Sequence, residues 1–95
     1  MSRIISEKAA NALENGGFFR QSNTEVKKSG EMYLHGNRIA WIYNGDLYIC
    51  MCGWNTLTTR ERLNALNGVH IVQRAGRLYL NGEEINDHEV YKINC

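Results

Sequence analysis

A chain of 95 residues with a net charge of only +1 has room for one domain around one core, taken here as residues 1–95. Its 43% apolar and 22% charged residues describe a globular protein and argue against disorder. No apolar run approaches the roughly 20 residues that cross a bilayer, and Met1 to Glu7 lacks the apolar stretch of a secretory signal, so a cytoplasmic protein without membrane contact is expected.

Residues 4–15 carry Ile5, Ala9, Ala12 and Leu13 at helical spacing, with Ser2 or Ser6 as N-cap and Gly16-Gly17 as the stop. Phe18 and Phe19 then read as apolar anchors. From residue 23 the apolar period changes from 3.6 to 2, and residues 23–28, 31–35, 38–43 and 46–51 form four strand candidates. The chain has no proline, so Gly, Asn and Ser mark its turns: Ser29-Gly30, Gly36-Asn37 as a type II′ turn, and Asn44-Gly45 as a type I′ turn. Consecutive tight turns give an antiparallel meander. One apolar set is Met32, Leu34, Ile39, Trp41, Tyr43, Leu47, Ile49 and Met51. The other set, which includes Tyr33, Arg38, Ala40, Ile42, Tyr48 and Cys50, is mixed, as expected of a face that a helix or a partner covers in part.

A second, short helix begins at Thr58-Thr59-Arg60-Glu61, whose spacing fits a capping box, and Gly68 stands where a left-handed C-terminal cap belongs. Residues 69–74 and 77–80 follow as a hairpin around Ala75-Gly76. Asn81-Gly82 then turns the chain into residues 83–85, and a further short strand is expected near residues 90–93. The predicted fold is α+β: an N-terminal helix, a four-stranded antiparallel meander, a short helix and a C-terminal β-hairpin.

Few residues carry chemistry by pattern. Cys50-Met51-Cys52, with Cys95 and His35, His70 and His88, contains zinc ligand types but not the usual two-residue gaps, so no metal and no cofactor is expected. An odd cysteine count predicts free thiols rather than a disulfide framework. A cysteine nucleophile needs a base that the spacing does not supply, so no enzyme activity is expected. The start of the second helix is a richer candidate. Thr56, Thr58, Thr59, Arg60 and Arg62 gather where helix amides favour an anion, although a plain capping box with solvated arginines uses the same residues.

Charge is unevenly spread. Residues 15–77 hold eight bases against four acids, a net of +4, while residues 78–95 hold Glu83, Glu84, Asp87 and Glu89 against Lys92, a net of −3. Lys27, Lys28, Arg38, Arg60, Arg62 and Arg74, interleaved with tyrosines, are the residues a nucleic-acid binder would use. That excess is small for such a role. A partner protein is the preferred reading, contacted through Tyr33, Arg38 and Tyr48 on the mixed sheet face and through Thr58, Thr59, Arg60, Arg62 and Asn64.

Two runs are specific enough to compare. Leu34-His35-Gly36-Asn37-Arg38-Ile39-Ala40 and Gly53-Trp54-Asn55-Thr56-Leu57-Thr58-Thr59-Arg60-Glu61-Arg62-Leu63-Asn64, with Asn23-Thr24-Glu25-Val26 before them, resemble a pattern in small bacteriophage proteins. The resemblance covers about residues 23–74. It implies a phage accessory protein made in the host cytoplasm. Such a protein would bind and inhibit a host protein or nucleoprotein of the anti-defence or anti-CRISPR type; apart from the resemblance, the anion-favouring start of the second helix leaves sequestration of a nucleotide signal as an alternative. Relatives in this pattern carry alanine before Gly-Trp, where this chain has Cys52, which implies that no thiol or metal role is shared across them.

Overall fold

The computed structural model describes residues 2–93, with side chains from Ile4 onward. Cys95 therefore lies outside the described residues, as does the side chain of Ser2. The first helix, α1 (Ser2–Glu14), starts earlier than its apolar pattern suggests. Its buried stripe is Ser6, Ala9, Ala10 and Leu13, so Ser6 faces the core rather than capping the helix. The C-terminus is a Schellman motif: the Gly17 amide donates to Ala12 O at 2.7 Å and the Gly16 amide to Leu13 O at 3.4 Å, with Gly16 at φ +70°.

The meander is larger than four strands. β1 (Phe19–Gln21), β2 (Thr24–Lys27), β3 (Glu31–Leu34), β4 (Asn37–Tyr43) and β5 (Asp46–Ile49) follow one another as antiparallel neighbours, and β9 (Tyr91–Ile93) joins beside β5 to make six. The residues at Phe19, read as an anchor, are thus an edge strand. Phe18 is 57% exposed and anchors nothing, whereas Phe19 packs against the core. β6 (Ile71–Arg74), β7 (Arg77–Leu80) and β8 (Glu83–Ile85) form a separate three-stranded sheet, so the C-terminal hairpin is extended by a third strand.

The tight turns use one device. His35-Gly36, Asn44-Gly45, Ala75-Gly76 and Asn81-Gly82 each place two residues at positive φ, as a type I′ turn requires. The turn between β3 and β4 is therefore centred on His35-Gly36, one residue earlier than the Gly36-Asn37 turn expected. Between those strands the register shifts after Met32: Met32 pairs with Ala40 but Tyr33 pairs with Arg38, leaving Ile39 as an extra residue. This bulge turns both Ile39 and Ala40 inward, at 1% and 0% exposure, and returns Trp41 to the opposite face. The apolar set predicted for the meander is corrected accordingly. Trp41 and Tyr43 leave it and Ala40 joins it, while Ile42, on the side of Ala40 by alternation, stays exposed near the strand end.

α2 (Leu57–Asn64) is capped by Thr56, not Thr58: Thr56 Oγ1 accepts from the Thr59 amide at 3.2 Å and lies 3.0 Å from Thr59 Oγ1. Its C-cap is Ala65, and Gly68 belongs to the turn beyond. α1 packs on β1, β2 and β3 and on α2, which in turn meets β4 and β6. The helices thus share one side of the large sheet, closing over Val26, Met32, Leu34 and Ile49. Among the described residues, the strands' other side carries half-buried and exposed side chains.

Candidate functional site

The open side is assembled by register. Lys27, Glu31, Trp41, Tyr48 and Lys92 lie in one row across β2, β3, β4, β5 and β9, and Arg20, Glu25, Tyr33 and Arg38 in a neighbouring row. The Arg38 guanidinium sits 4.0 Å over the Trp41 ring, and Trp41 and Tyr48 lie nearly parallel, 12° apart with centroids 6.0 Å apart. Lys27 Nζ stands 4.9 Å over the Tyr33 ring. Cation–ring contacts of this kind contribute about 0.5–1 kcal/mol when exposed, so they hold side chains in place more than they hold the fold together.

Glu31 ties the two rows. Its carboxylate accepts from Tyr33 Oη at 3.2 Å, Arg38 Nη1 at 3.4 Å and Ser29 Oγ at 3.2 Å. At the far edge Lys92 Nζ meets Asp46 at 3.4 Å. Four bases (Arg20, Lys27, Arg38, Lys92) thus face three acids (Glu25, Glu31, Asp46) around an aromatic centre, and two of those bases pair with acids in the same plane. The face is close to neutral, with the Trp, Tyr and Arg content that dominates protein-interface energetics.

The second group of expected contact residues lies on the other side of the sheet. Thr59 and Arg62 are buried, at 1% and 2% exposure, and offer no surface to a partner. The Arg62 guanidinium donates from Nε to Thr24 Oγ1 at 2.8 Å and from Nη1 to Ser6 Oγ at 2.7 Å, joining α2 to β2 and α1. Burial pulls its pKa down, and the Glu61 carboxylate opposes that shift. Asn64 works on the chain itself: its amide donates to Ile71 O at 3.0 Å and accepts from the Ile71 amide at 2.6 Å, standing in for a neighbouring strand at the start of β6. Arg60 reaches Asn55 Oδ1, and Thr58 is half-buried.

The six bases of the nucleic-acid reading are likewise dispersed. Lys27 and Arg38 are on the open face, Lys28 is in the loop between β2 and β3, Arg60 and the buried Arg62 are on α2, and Arg74 ends β6 in the smaller sheet. They do not make one stripe.

The thiols are close together but poorly suited to nucleophilic catalysis. Cys52 Sγ lies 3.4 Å from Cys50 Sγ and donates to Arg38 O at 3.1 Å. Burial first, then the Cys50 thiol, pushes Cys52 up from its ordinary 9.0 to about 11, against a smaller downward pull from Arg38, so it is protonated at neutral pH. His35 bonds Asn23 rather than a cysteine. Among the described residues no three metal-ligating side chains gather.

Five members of the open face escaped sequence reasoning: Arg20, Glu25, Trp41, Asp46 and Lys92. The signal for Trp41 was present. A two-residue turn at Asn44-Gly45 makes Tyr43 face Asp46, Ile42 face Leu47 and Trp41 face Tyr48, so Trp41 and Tyr48 had to share a side.

A sequence model of the Kyanoviridae Gp96 protein family matches residues 2–94, and the chain belongs to that family of phage proteins. No curated protein and no solved structure matches it. Among the described residues no helix is long and apolar enough to cross a membrane.

Proposed function

We propose that this member of the Kyanoviridae Gp96 family is a non-enzymatic phage accessory protein that docks on a host protein through the open face of its six-stranded sheet. The observation that carries this reading is the uncovered cluster of Arg38 stacked on Trp41 beside Tyr48, framed by Lys27, Glu31, Asp46 and Lys92. An aromatic centre with a rim of both charge signs complements a protein surface, where stacked aromatics and Arg supply affinity and rim charges supply register. Inhibition of a host defence factor, an anti-CRISPR action included, is the class of outcome we place it in, acting in the host cytoplasm.

A polynucleotide is the weaker partner. Phosphate binding draws on a basic excess, and here Arg38 and Lys92 are paired with acids of the same face. A nucleotide at α2 is weaker still, because Thr56 Oγ1 already occupies the Thr59 amide.

The test is a tagged pull-down from lysate of the bacterial host at about 0.15 M salt, where the screening length is about 8 Å. One stoichiometric host protein that survives nuclease and is lost with Arg38→Glu supports the reading. Recovery that nuclease abolishes overturns it.

A further inference from the structure

The two cysteines sit where the chain leaves β5 and folds back onto β4. The Cys50 amide donates to Ile39 O at 2.8 Å, and Cys52 Sγ donates to Arg38 O at 3.1 Å, so this short segment is fastened to the bulge from which Arg38 projects. Cys52 adopts φ +54° and Gly53 φ +80°, a left-handed pair that closes a turn with the Trp54 amide donating to Met51 O at 2.8 Å. In an extended strand, side chains two residues apart point the same way but stand well separated. Here the left-handed step at Cys52 curls the backbone, and the two sulfurs approach to 3.4 Å. The Cys52 amide also points at Cys50 Sγ, at 3.3 Å. Cys50 is buried and Cys52 exposed, which gives the pair one sulfur that a reagent can reach and one that only its neighbour can reach.

We propose that Cys50 and Cys52 are a dithiol–disulfide pair that exchanges with small-molecule disulfides. The exposed Cys52 attacks a small disulfide, forming a mixed disulfide and releasing one small thiol. Cys50 then attacks Cys52 Sγ, closes the intrachain bond and releases the second thiol. Two protein S–H bonds and one small disulfide become one protein disulfide and two small thiols, so atoms and electrons balance. Closure removes the proton that Cys52 gives to Arg38 O, loosening the segment at the residue that carries the central cation of the open face. That consequence for docking rests on the proposed function above. The ring closure does not. The high position of the Cys52 thiol, about 11, makes the first step slow at neutral pH and faster in alkali, so the pair equilibrates with a thiol pool rather than trapping oxidants quickly.

The test uses the full chain, equilibrated in mixtures of oxidised and reduced glutathione, quenched in acid, alkylated and mapped by mass spectrometry. The proposal expects a peptide lacking two hydrogens, with Cys50 and Cys52 both protected, that excess dithiothreitol reopens. It also expects Cys50→Ser to accumulate glutathione on Cys52. The wild-type readout stands alone if that variant fails to fold. Persistent glutathione on wild-type Cys52 without ring closure, or Cys50 and Cys52 both open to alkylation in oxidised glutathione, overturns it. Because the readout is chemical and needs no partner, failure of the docking reading would leave it unchanged.

Discussion

Arg62 and Ser6 meet 2.7 Å apart in the interior, where the guanidinium of α2 reaches the one hydroxyl in the buried stripe of α1. With Thr24 on β2 as its second acceptor, Arg62 links three elements whose sequence separation reaches 56 residues. Among the described residues no buried side-chain nitrogen or oxygen is left without a hydrogen bond. Arg62→Ala strips a partner from both hydroxyls and opens a cavity, and should cost about 2–4 kcal/mol. Urea unfolding checks this: the midpoint falls for Arg62→Ala, whereas Arg60→Ala, nearer the surface, changes it little.

Ala75 sits at φ +50° in a type I′ turn, a conformation in which its Cβ crowds the backbone. Ala75→Gly removes that contact and matches the φ +77° glycine beside it. The expected gain is about 0.5–1 kcal/mol, read as a higher urea midpoint at unchanged slope.

Asn64 is expected to be a structural residue. Asn64→Ala leaves the Ile71 amide and carbonyl without their partner, and should destabilise the protein by about 1 kcal/mol while raising exchange of the Ile71 amide. Binding to the docking partner should not change, because Asn64 lies on the helix side of the sheet.

The Cys52 thiol makes stability fall in alkali. Its folded value of about 11 lies above its ordinary 9.0, so folding favours the protonated form. The stabilisation is fully present below pH 9 and is lost as pH rises through 9 to 11. Comparing wild type with Cys52→Ser across that range isolates the contribution of the thiol. The two curves should converge toward pH 11, and parallel curves would contradict the shift.

How much of this was legible follows from what each feature depends on. The β4–β5 hairpin could be read because Asn44-Gly45 is a local steric requirement, independent of the rest of the fold. The bulge at Ile39 could not, since the extra residue is an ordinary β-branched one and its placement depends on how Met32 and Ala40 pack into the shared core. That single residue reversed the side given to Trp41, the centre of the open face. β1 is three residues long and leaves no periodic trace. β9 lies where a short strand near residues 90–93 is expected, but its place beside β5 is a long-range pairing that no local pattern carries. Arg62 looked like a surface cation because long charged side chains usually are. Its burial follows from Ser6 and Thr24 arriving from elements distant in sequence. Thr56 could not be told from Thr58 as the cap because three threonines compete within four positions.

The most direct measurement of the docking claim is one pull-down run in parallel on wild type, Trp41→Ala and Arg60→Glu, each first shown to melt at the wild-type temperature. The account predicts that Trp41→Ala loses the host protein at least tenfold, a change of about 1.4 kcal/mol, while Arg60→Glu on the opposite side retains it. Retention by Trp41→Ala together with loss by Arg60→Glu would contradict it and move the contact surface to α2.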